Sequence, residues 1–223
     1  RDEEGSPTMP ILDPERSYTF SQYFELRFDP ADILAELSVT LERRYLQDLP
    51  YALPESLAVG AATLHQSMLQ YLPKAALTSE MARRELLIGP VLTKLLECLP
   101  LQLSIEYGIE VNRFLRGEVD YLLRGEQQMI VIEAKGADLS RGTTQLAVEL
   151  IAFDLWLEQR GQLSGIPTLY GAVTTGDIWQ FCLYQRREHH ILQDLNLYRI
   201  PAELEQVMGI LCGIVLPTKS SAI

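Results

Sequence analysis

Short hydrophobic segments with the spacing of β-strands characterise the second half of the chain. Alternating or continuous apolar residues, bounded by short polar turns, predict five strands there. The predicted strands cover residues 101–111, 117–123, 129–135, 168–175 and 179–184. Together they predict a β-sheet in this half of the chain.

Apolar residues at helical spacing predict five helices, three of which precede the first strand. The predicted helices cover residues 30–47, 54–71, 79–99, 144–160 and 201–216. Asp29 and Ser79 are suitable N-cap residues because their side chains can accept from the first free backbone N–H groups. Pro100 ends the third helix, since proline cannot continue one.

From residue 79 the predicted order is helix, three strands, helix, strand, strand and helix. This order predicts an α/β domain over residues 79–223, with a central sheet flanked by helices. Residues 17–78 are predicted to be a helical N-terminal extension that packs against this domain. Residues 1–16 contain glycine and prolines among acidic residues and are predicted to be a flexible lead-in.

Composition limits the classes of function. Of the 223 residues, 47% are hydrophobic, which is enough for a well-filled core. No apolar run approaches the roughly 20 residues that cross a membrane, so the sequence predicts neither a signal peptide nor a membrane anchor. The three cysteines lack CxxC spacing, and we therefore expect reduced thiols and a cytoplasmic location.

The chain is acidic, with a formal net charge of −11. The acidic excess is larger in residues 1–80 than in residues 81–223. This charge argues against a broad nucleic-acid-binding surface. The acidic N-terminal extension instead favours docking of a protein partner.

Charged residues end the most apolar predicted strand. Glu133 and Lys135 follow the apolar segment 130–132 and leave the same face of the strand, because they are two residues apart. A two-residue turn at 125–126 would make Asp120 a diagonal neighbour of Glu133 on that face, about 7–8 Å away. Buried charges must be paired or bind a metal ion. The pattern thus predicts either a salt-bridged strand end or a metal site.

Polar residues on the two flanking helices favour the metal site. Gln145 and Glu149 are one turn apart on the helix that follows the strand. Glu80 and Arg84 have the same spacing on the helix that begins at residue 79. Glu85 is an alternative to Glu80 as the carboxylate that this helix contributes.

In this arrangement the chain resembles the PD-(D/E)XK nuclease superfamily, which has the restriction-endonuclease-like fold. The resemblance covers residues 79–185 and rests on Glu80, Asp120, the tripeptide Glu133-Ala134-Lys135 and Gln145, in that order. The segment SEMARRELLIGPVL is similar to a run in type I restriction-subunit-like domains, and the glutamine to a motif of RecB-like nucleases. Val119 stands where the motif has proline. The resemblance implies a three-layer core with the order αβββαβ.

The resemblance also implies metal-assisted hydrolysis of nucleic acid, with DNA as the favoured substrate. The implied ligands of Mg²⁺ or Mn²⁺ are Glu80, Asp120, Glu133 and the Ala134 carbonyl. Such hard cations prefer oxygen ligands, and the cation would activate water and neutralise charge on the phosphate. Lys135 would orient the attacking water or stabilise the transition state, and Gln145 would position Lys135 or the phosphate.

Arg84, Arg141 and Glu149 are expected to contact the substrate, and a homodimer would suit cleavage of both DNA strands.

Two classes of function stay open. One is an active Mg²⁺-dependent nuclease in a restriction, repair or mobile-element system. The other is a nuclease-like fold that serves as a binding or assembly module. The complete set of motif residues favours the enzyme, whereas the net charge favours the module.

Overall fold

The computed structural model of the protein describes residues 10–126, 128–136, 138–162 and 165–216. Residues 1–9 of the predicted lead-in lie outside these ranges. Residues 10–16 form turns, and Leu12 is buried in the hydrophobic core. This part of the predicted lead-in is therefore packed against the rest of the protein.

A mixed sheet of eight strands forms the centre of the described structure. The strands are β1 (Thr40–Arg44), β2 (Gln102–Asn112), β3 (Leu115–Arg124), β4 (Met129–Ala134), β5 (Thr168–Thr174), β6 (Ile178–Gln185), β7 (His190–Asp194) and β8 (Tyr198–Arg199). Their order across the sheet is β1-β7-β6-β5-β4-β3-β2, and β8 pairs with β6. β1 is parallel to β7 and β4 to β5, while the other pairs are antiparallel. The central position of β4 explains why both of its faces are apolar.

Helices cover both faces of the sheet. The α-helices in the described ranges are α1 (Phe20–Glu25), α2 (Pro30–Glu36), α3 (Glu55–Tyr71), α4 (Glu80–Arg83), α5 (Gly89–Cys98), α6 (Leu139–Glu158) and α7 (Leu204–Val215). A π-helical turn, Arg84–Ile88, joins α4 to α5, so that residues 80–98 form one helical segment. Ser79 caps this segment by accepting from the Ala82 N–H, as the sequence predicts.

The sheet separates two hydrophobic cores. Helices α3, α5 and α7 cover the face that includes Ile130 and Ile132. Helices α1, α2 and α6 cover the opposite face, which includes Leu122 and Val131. Successive strand residues therefore enter different cores. The prediction of an α/β fold with a central mixed sheet between helices is confirmed.

The predicted helix over residues 30–47 is wrong beyond Glu36. Ser38 has a φ of +60°, and the chain then continues as β1, which pairs with β7 at the sheet edge. The N-terminal segment 17–78 therefore supplies a strand as well as helices α1 to α3. Thr40 and its partner His190 are 150 residues apart. Local periodicity contains no signal for such a distant pairing. Strands β7 and β8 are also not predicted, because segments of five and two residues show little periodicity.

Helix α6 begins at Leu139, earlier than the predicted start at residue 144. Asp138 is its N-cap and accepts from the Arg141 N–H at 3.0 Å. The Thr143 hydroxyl donates to the Leu139 carbonyl, four residues earlier in the helix. This bond satisfies the hydroxyl group inside α6. Gly142 allows close approach to the sheet, since a Cβ there would lie 2.7 Å from Cγ2 of Val173.

The loop between β3 and β4 is longer than the two-residue turn that the sequence suggests. Arg124 pairs with Met129, and Tyr121 pairs with Ile132. Continuing this register by one residue places Asp120 opposite Glu133, not diagonal to it. The loop is longer by an even number of residues, so both side chains stay on the same face of the sheet.

In the described ranges, no helix is both long and apolar enough to cross a lipid bilayer.

Candidate active site

The charged residues of the sequence motif meet where β4 ends, on the face of the sheet that α6 covers. Glu133 lies next to the last residue of β4, and Lys135 follows the strand directly. Val131, two residues before Glu133, belongs to the core beneath α6. Gln145 lies on α6 and reaches Glu133 from above the sheet. The alternation of strand residues and the position of α6 together create this meeting point.

Glu133 is the most constrained residue of the site. It is 1% exposed, and its Oε1 atom lies 2.6 Å from Nζ of Lys135 and 2.8 Å from the Gln145 Nε2 donor. Its Oε2 atom is buried and has no hydrogen-bond partner in the described structure. Burial raises the pKa of Glu133 from its ordinary value of 4.5 to about 7. The charge of Asp120 raises this pKa further, and the Lys135 ammonium opposes the shift.

Asp120 is held by two donors. Its Oδ1 atom forms an ion pair with the Arg84 guanidinium at 2.7 Å, and its Oδ2 atom accepts from the Ala134 N–H at 2.8 Å. The same guanidinium lies 3.1 Å from Glu80. Glu80 therefore shares Arg84 with Asp120, as its spacing on the helix indicates. Of the two alternatives on this helix, Glu80 is the one joined to the site in this way.

Glu149 lies behind Gln145, away from solvent. It is fully buried, and its Oε1 atom accepts from Gln145 Nε2 at 2.8 Å. Burial and the charge of Glu133 raise the pKa of Glu149 well above its ordinary value. These contacts correct the expectation that Glu149 contacts substrate, since it has no exposed surface with which to do so.

The site opens into a groove of about 440 Å³, called the central groove below. Its lining consists of Thr19, Phe20, Ser21, Arg84, Glu106, Gly117, Glu118, Asp120, Glu133, Lys135 and Gln145. Four of the predicted catalytic residues line it together, and Arg84 lines it as well. Arg141 is not among the lining residues and pairs with Asp138 at 3.3 Å. Contact of Arg141 with substrate stays a prediction, as does a ligand role for the Ala134 carbonyl.

Two parts of the groove were not predicted from the sequence. Helix α1 and the residue before it form one wall, and the Phe24 ring centroid lies 4.9 Å from Nζ of Lys135. Aromatic residues are frequent in residues 17–28 of the sequence. Such a segment must pack on a neighbour, and this was the sequence signal that could have indicated the wall. Glu106 lines the groove at a point where β2 has a φ of +53°, a left-handed conformation that non-glycine residues rarely adopt. The local pattern of apolar and polar residues gives no signal for such a conformation.

The oxygen atoms around Glu133 suit a hard divalent cation. The unpartnered buried oxygens at this point are Glu133 Oε2, Gln145 Oε1 and Glu149 Oε2. Mg²⁺ and Mn²⁺ prefer such ligands, and positive charge here would offset the repulsion between Asp120 and Glu133. Within the described ranges, no three His, Cys, Asp or Glu side chains form a group that could hold a metal ion. A cation would therefore need amide, backbone or water oxygens in addition to carboxylates.

Comparison of the chain with models of protein families, with characterised proteins and with solved structures gives no match. Function is therefore inferred from the geometry and chemistry of the central groove.

Proposed function

We propose that the protein is a Mg²⁺-dependent nuclease that hydrolyses phosphodiester bonds of nucleic acid, with DNA as the favoured substrate. The observation that carries this proposal is the convergence of Asp120, Glu133, Lys135 and Gln145 in the central groove. Two carboxylates and an ammonium at the end of a buried strand cost stability, because burial strips charged groups of water. Catalysis gives a reason for keeping them there.

A restriction-endonuclease-like core is part of the same proposal. The elements from α4 to β5 follow the order αβββαβ, if the helical segment 80–98 is taken as one helix. Asp120 lies on β3, Glu133 on β4 and Gln145 on α6. The resemblance implies this distribution of motif residues over the elements, and the agreement supports the assignment.

Carboxylate oxygens of Glu133 and Asp120 would hold Mg²⁺, for which Mn²⁺ can substitute. The bound cation would supply positive charge that activates water and offsets the charge developing on the scissile phosphate. Lys135 has its ammonium at the groove, 2.6 Å from Glu133, and can donate to the attacking water or to a phosphate oxygen. The ion pair with Glu133 keeps the ammonium in this position.

Arg84 is the second basic residue that lines the groove. A planar guanidinium matches the oxygens of a phosphate group, which lysine contacts only as a point charge. Arg84 pairs with Asp120 in this structure. We expect the scissile phosphate to compete with Asp120 for Arg84, which would free Asp120 Oδ1 for the cation.

Substitution of Lys135 tests the nuclease proposal. With Mg²⁺ or Mn²⁺ present, the unmodified protein should nick or degrade DNA. Lys135→Ala should reduce the rate by about 10²–10⁴-fold, the range for a group that assists proton transfer. Lys74→Ala is the matched control, because Lys74 is exposed and does not line the groove. Cleavage by the Lys135→Ala protein at the unmodified rate would contradict the proposal, and parallel RNA substrates test the preference for DNA.

A second candidate function is a nuclease-like fold that serves as a binding or assembly module. The ion pairs Asp120–Arg84 and Glu133–Lys135 favour it, because they neutralise the site without a cation. The net charge of −11 favours it as well, with the acidic N-terminal segment docking a protein partner. Calorimetric titration with Mn²⁺ separates the two functions. Binding that Asp120→Asn weakens supports the nuclease, and absence of binding supports the module.

A further inference from the structure

The amide of Gln145 is fixed between two carboxyl groups. Its Nε2 atom lies 2.8 Å from Glu133 Oε1 and 2.8 Å from Glu149 Oε1. An amide nitrogen donates two hydrogen bonds, whereas an amide oxygen only accepts them. Two acceptors on one side therefore hold the nitrogen toward them, and Glu149 is responsible for one of the two contacts.

This orientation leaves the amide oxygen without a partner. Gln145 Oε1 is buried and makes no hydrogen bond within the described structure, and the same is true of Glu133 Oε2. Both residues line the central groove and are almost completely buried. The other oxygen of Glu133, Oε1, is already bound by Lys135 and Gln145.

The chemistry of these two free oxygens selects what can bind them. A phosphate group offers acceptor oxygens only, so it cannot pair with Gln145 while Nε2 is held by the two glutamates. The expectation that Gln145 positions Lys135 or the phosphate stays a prediction, and in this structure its Nε2 atom donates to Glu133 and Glu149. Hard divalent cations bind amide carbonyl oxygens in addition to carboxylate oxygens. Gln145 Oε1 is also an oxygen ligand of the kind that a cation would need here in addition to the Asp and Glu side chains.

We propose that Gln145 Oε1 and Glu133 Oε2 are ligands of the divalent cation, and that Glu149 is a positioning residue that orients the Gln145 amide. Because this role presupposes a divalent cation in the groove, it rests on the proposed function. Glu149 is fully buried and interacts with both Gln145 and Glu133, so it can affect a cation only through these two residues. Residues behind metal ligands fix the orientation of those ligands and so affect metal affinity.

The test compares Glu149→Leu with Glu149→Gln by calorimetric titration with Mn²⁺. Leucine removes the acceptor that holds Gln145 Nε2, and Mn²⁺ affinity should fall by about 10–100-fold. Glutamine keeps an acceptor oxygen at that position, so its affinity should stay close to that of the unmodified protein. Leucine leaves one buried Gln145 N–H without an acceptor, which costs stability, so thermal unfolding checks that both variants fold.

Gln145→Met provides an independent test, because it removes the proposed ligand oxygen and keeps the length of the side chain. It should also lower Mn²⁺ affinity by about 10–100-fold. If Glu149→Leu does not fold, Gln145→Met still tests whether Gln145 Oε1 is a ligand of the cation.

Unchanged affinity in Glu149→Leu, or equal losses in both Glu149 variants, would overturn the positioning role. If the unmodified protein binds Mn²⁺ and needs Lys135 for cleavage while these variants bind it normally, the inference fails and the nuclease function stands. If the unmodified protein binds no Mn²⁺, both the proposed roles of Gln145 and Glu149 and the nuclease function are contradicted.

Discussion

Glu133 and Glu149 are buried carboxyl groups on neighbouring elements, and their burial affects stability as well as chemistry. An ordinary glutamate loses its proton near pH 4.5, whereas burial raises the pKa of Glu133 to about 7 and that of Glu149 well above its usual range. Between pH 4.5 and about pH 7 the unfolded chain is therefore ionised at Glu133 while the folded protein keeps this proton, and burial acts on Glu149 in the same direction. Because the folded state binds more protons, rising pH favours unfolding.

We expect Glu149→Gln to reduce the loss of stability between pH 5 and pH 8, since glutamine has no proton to lose. Each group that keeps its proton only when folded contributes up to about 1.4 kcal/mol per pH unit to this loss. Urea unfolding at pH 5, 6, 7 and 8 measures the effect. Glu158→Gln is the matched control, because Glu158 is exposed on the same helix. Identical pH profiles for the two variants would argue against a protonated Glu149.

At the scale of elements, the attachment of β1 to the sheet depends on a buried side chain. Asp194, at the end of β7, is fully buried and pairs with Arg44 in the β1 register. Its Oδ1 atom accepts from the backbone N–H groups of Leu46 and Asn196, both at 3.0 Å. Its Oδ2 atom accepts from the Tyr198 hydroxyl at 3.3 Å. This aspartate thus joins the end of β1 to the segment that follows β7.

Asp194→Ala should lower the free energy of unfolding by about 3 kcal/mol, because it leaves several donors without an acceptor and each buried one costs about 1–3 kcal/mol. Urea denaturation measures this change. Asp48→Ala, at an exposed position beyond β1, should change stability by no more than about 0.5 kcal/mol. A loss below about 1 kcal/mol for Asp194→Ala would mean that β1 is held mainly by its backbone pairing with β7.

At the scale of the whole molecule, the charge distribution limits how nucleic acid can bind. The protein carries a net charge of −11, and the groove itself contains Glu106 and Glu118 in addition to the motif carboxylates. Arg84 and Lys135 are the two basic residues that line this groove. Binding should therefore involve few phosphates and depend on the cation for much of its electrostatic attraction.

We expect the logarithm of DNA affinity, measured in EDTA, to fall with the logarithm of salt concentration with a slope of about −2, at about 0.9 per phosphate contact. Lys135→Ala should reduce the magnitude of this slope by about 0.9, and Lys74→Ala should leave it unchanged. Fluorescence anisotropy with a labelled duplex at several salt concentrations measures both. A slope steeper than about −4 would indicate a larger basic surface outside the central groove.

The sequence alone determined the features that depend on neighbouring residues. The helices after residue 79 and strands β2 to β6 follow in type and order from periodicity and caps, as with Ser79 at the start of the helical segment 80–98. The spacing of Glu133 and Lys135 put both on one face of β4, because side chains alternate along a strand. The spacing of Gln145 and Glu149 placed both on one face of α6 for the corresponding helical reason.

Tertiary structure alone decided the features that depend on distant residues. The loop after β3 set Asp120 opposite Glu133, and the approach of the helical segment 80–98 gave Asp120 the Arg84 guanidinium. The packing of α6 against its neighbours buried Glu149. Residue spacing alone could not show whether this position is buried or exposed. Strand β1 joined the sheet through pairing across 150 residues. Periodicity and caps reflect local chain geometry, whereas register, burial and edge pairing depend on how separate elements meet.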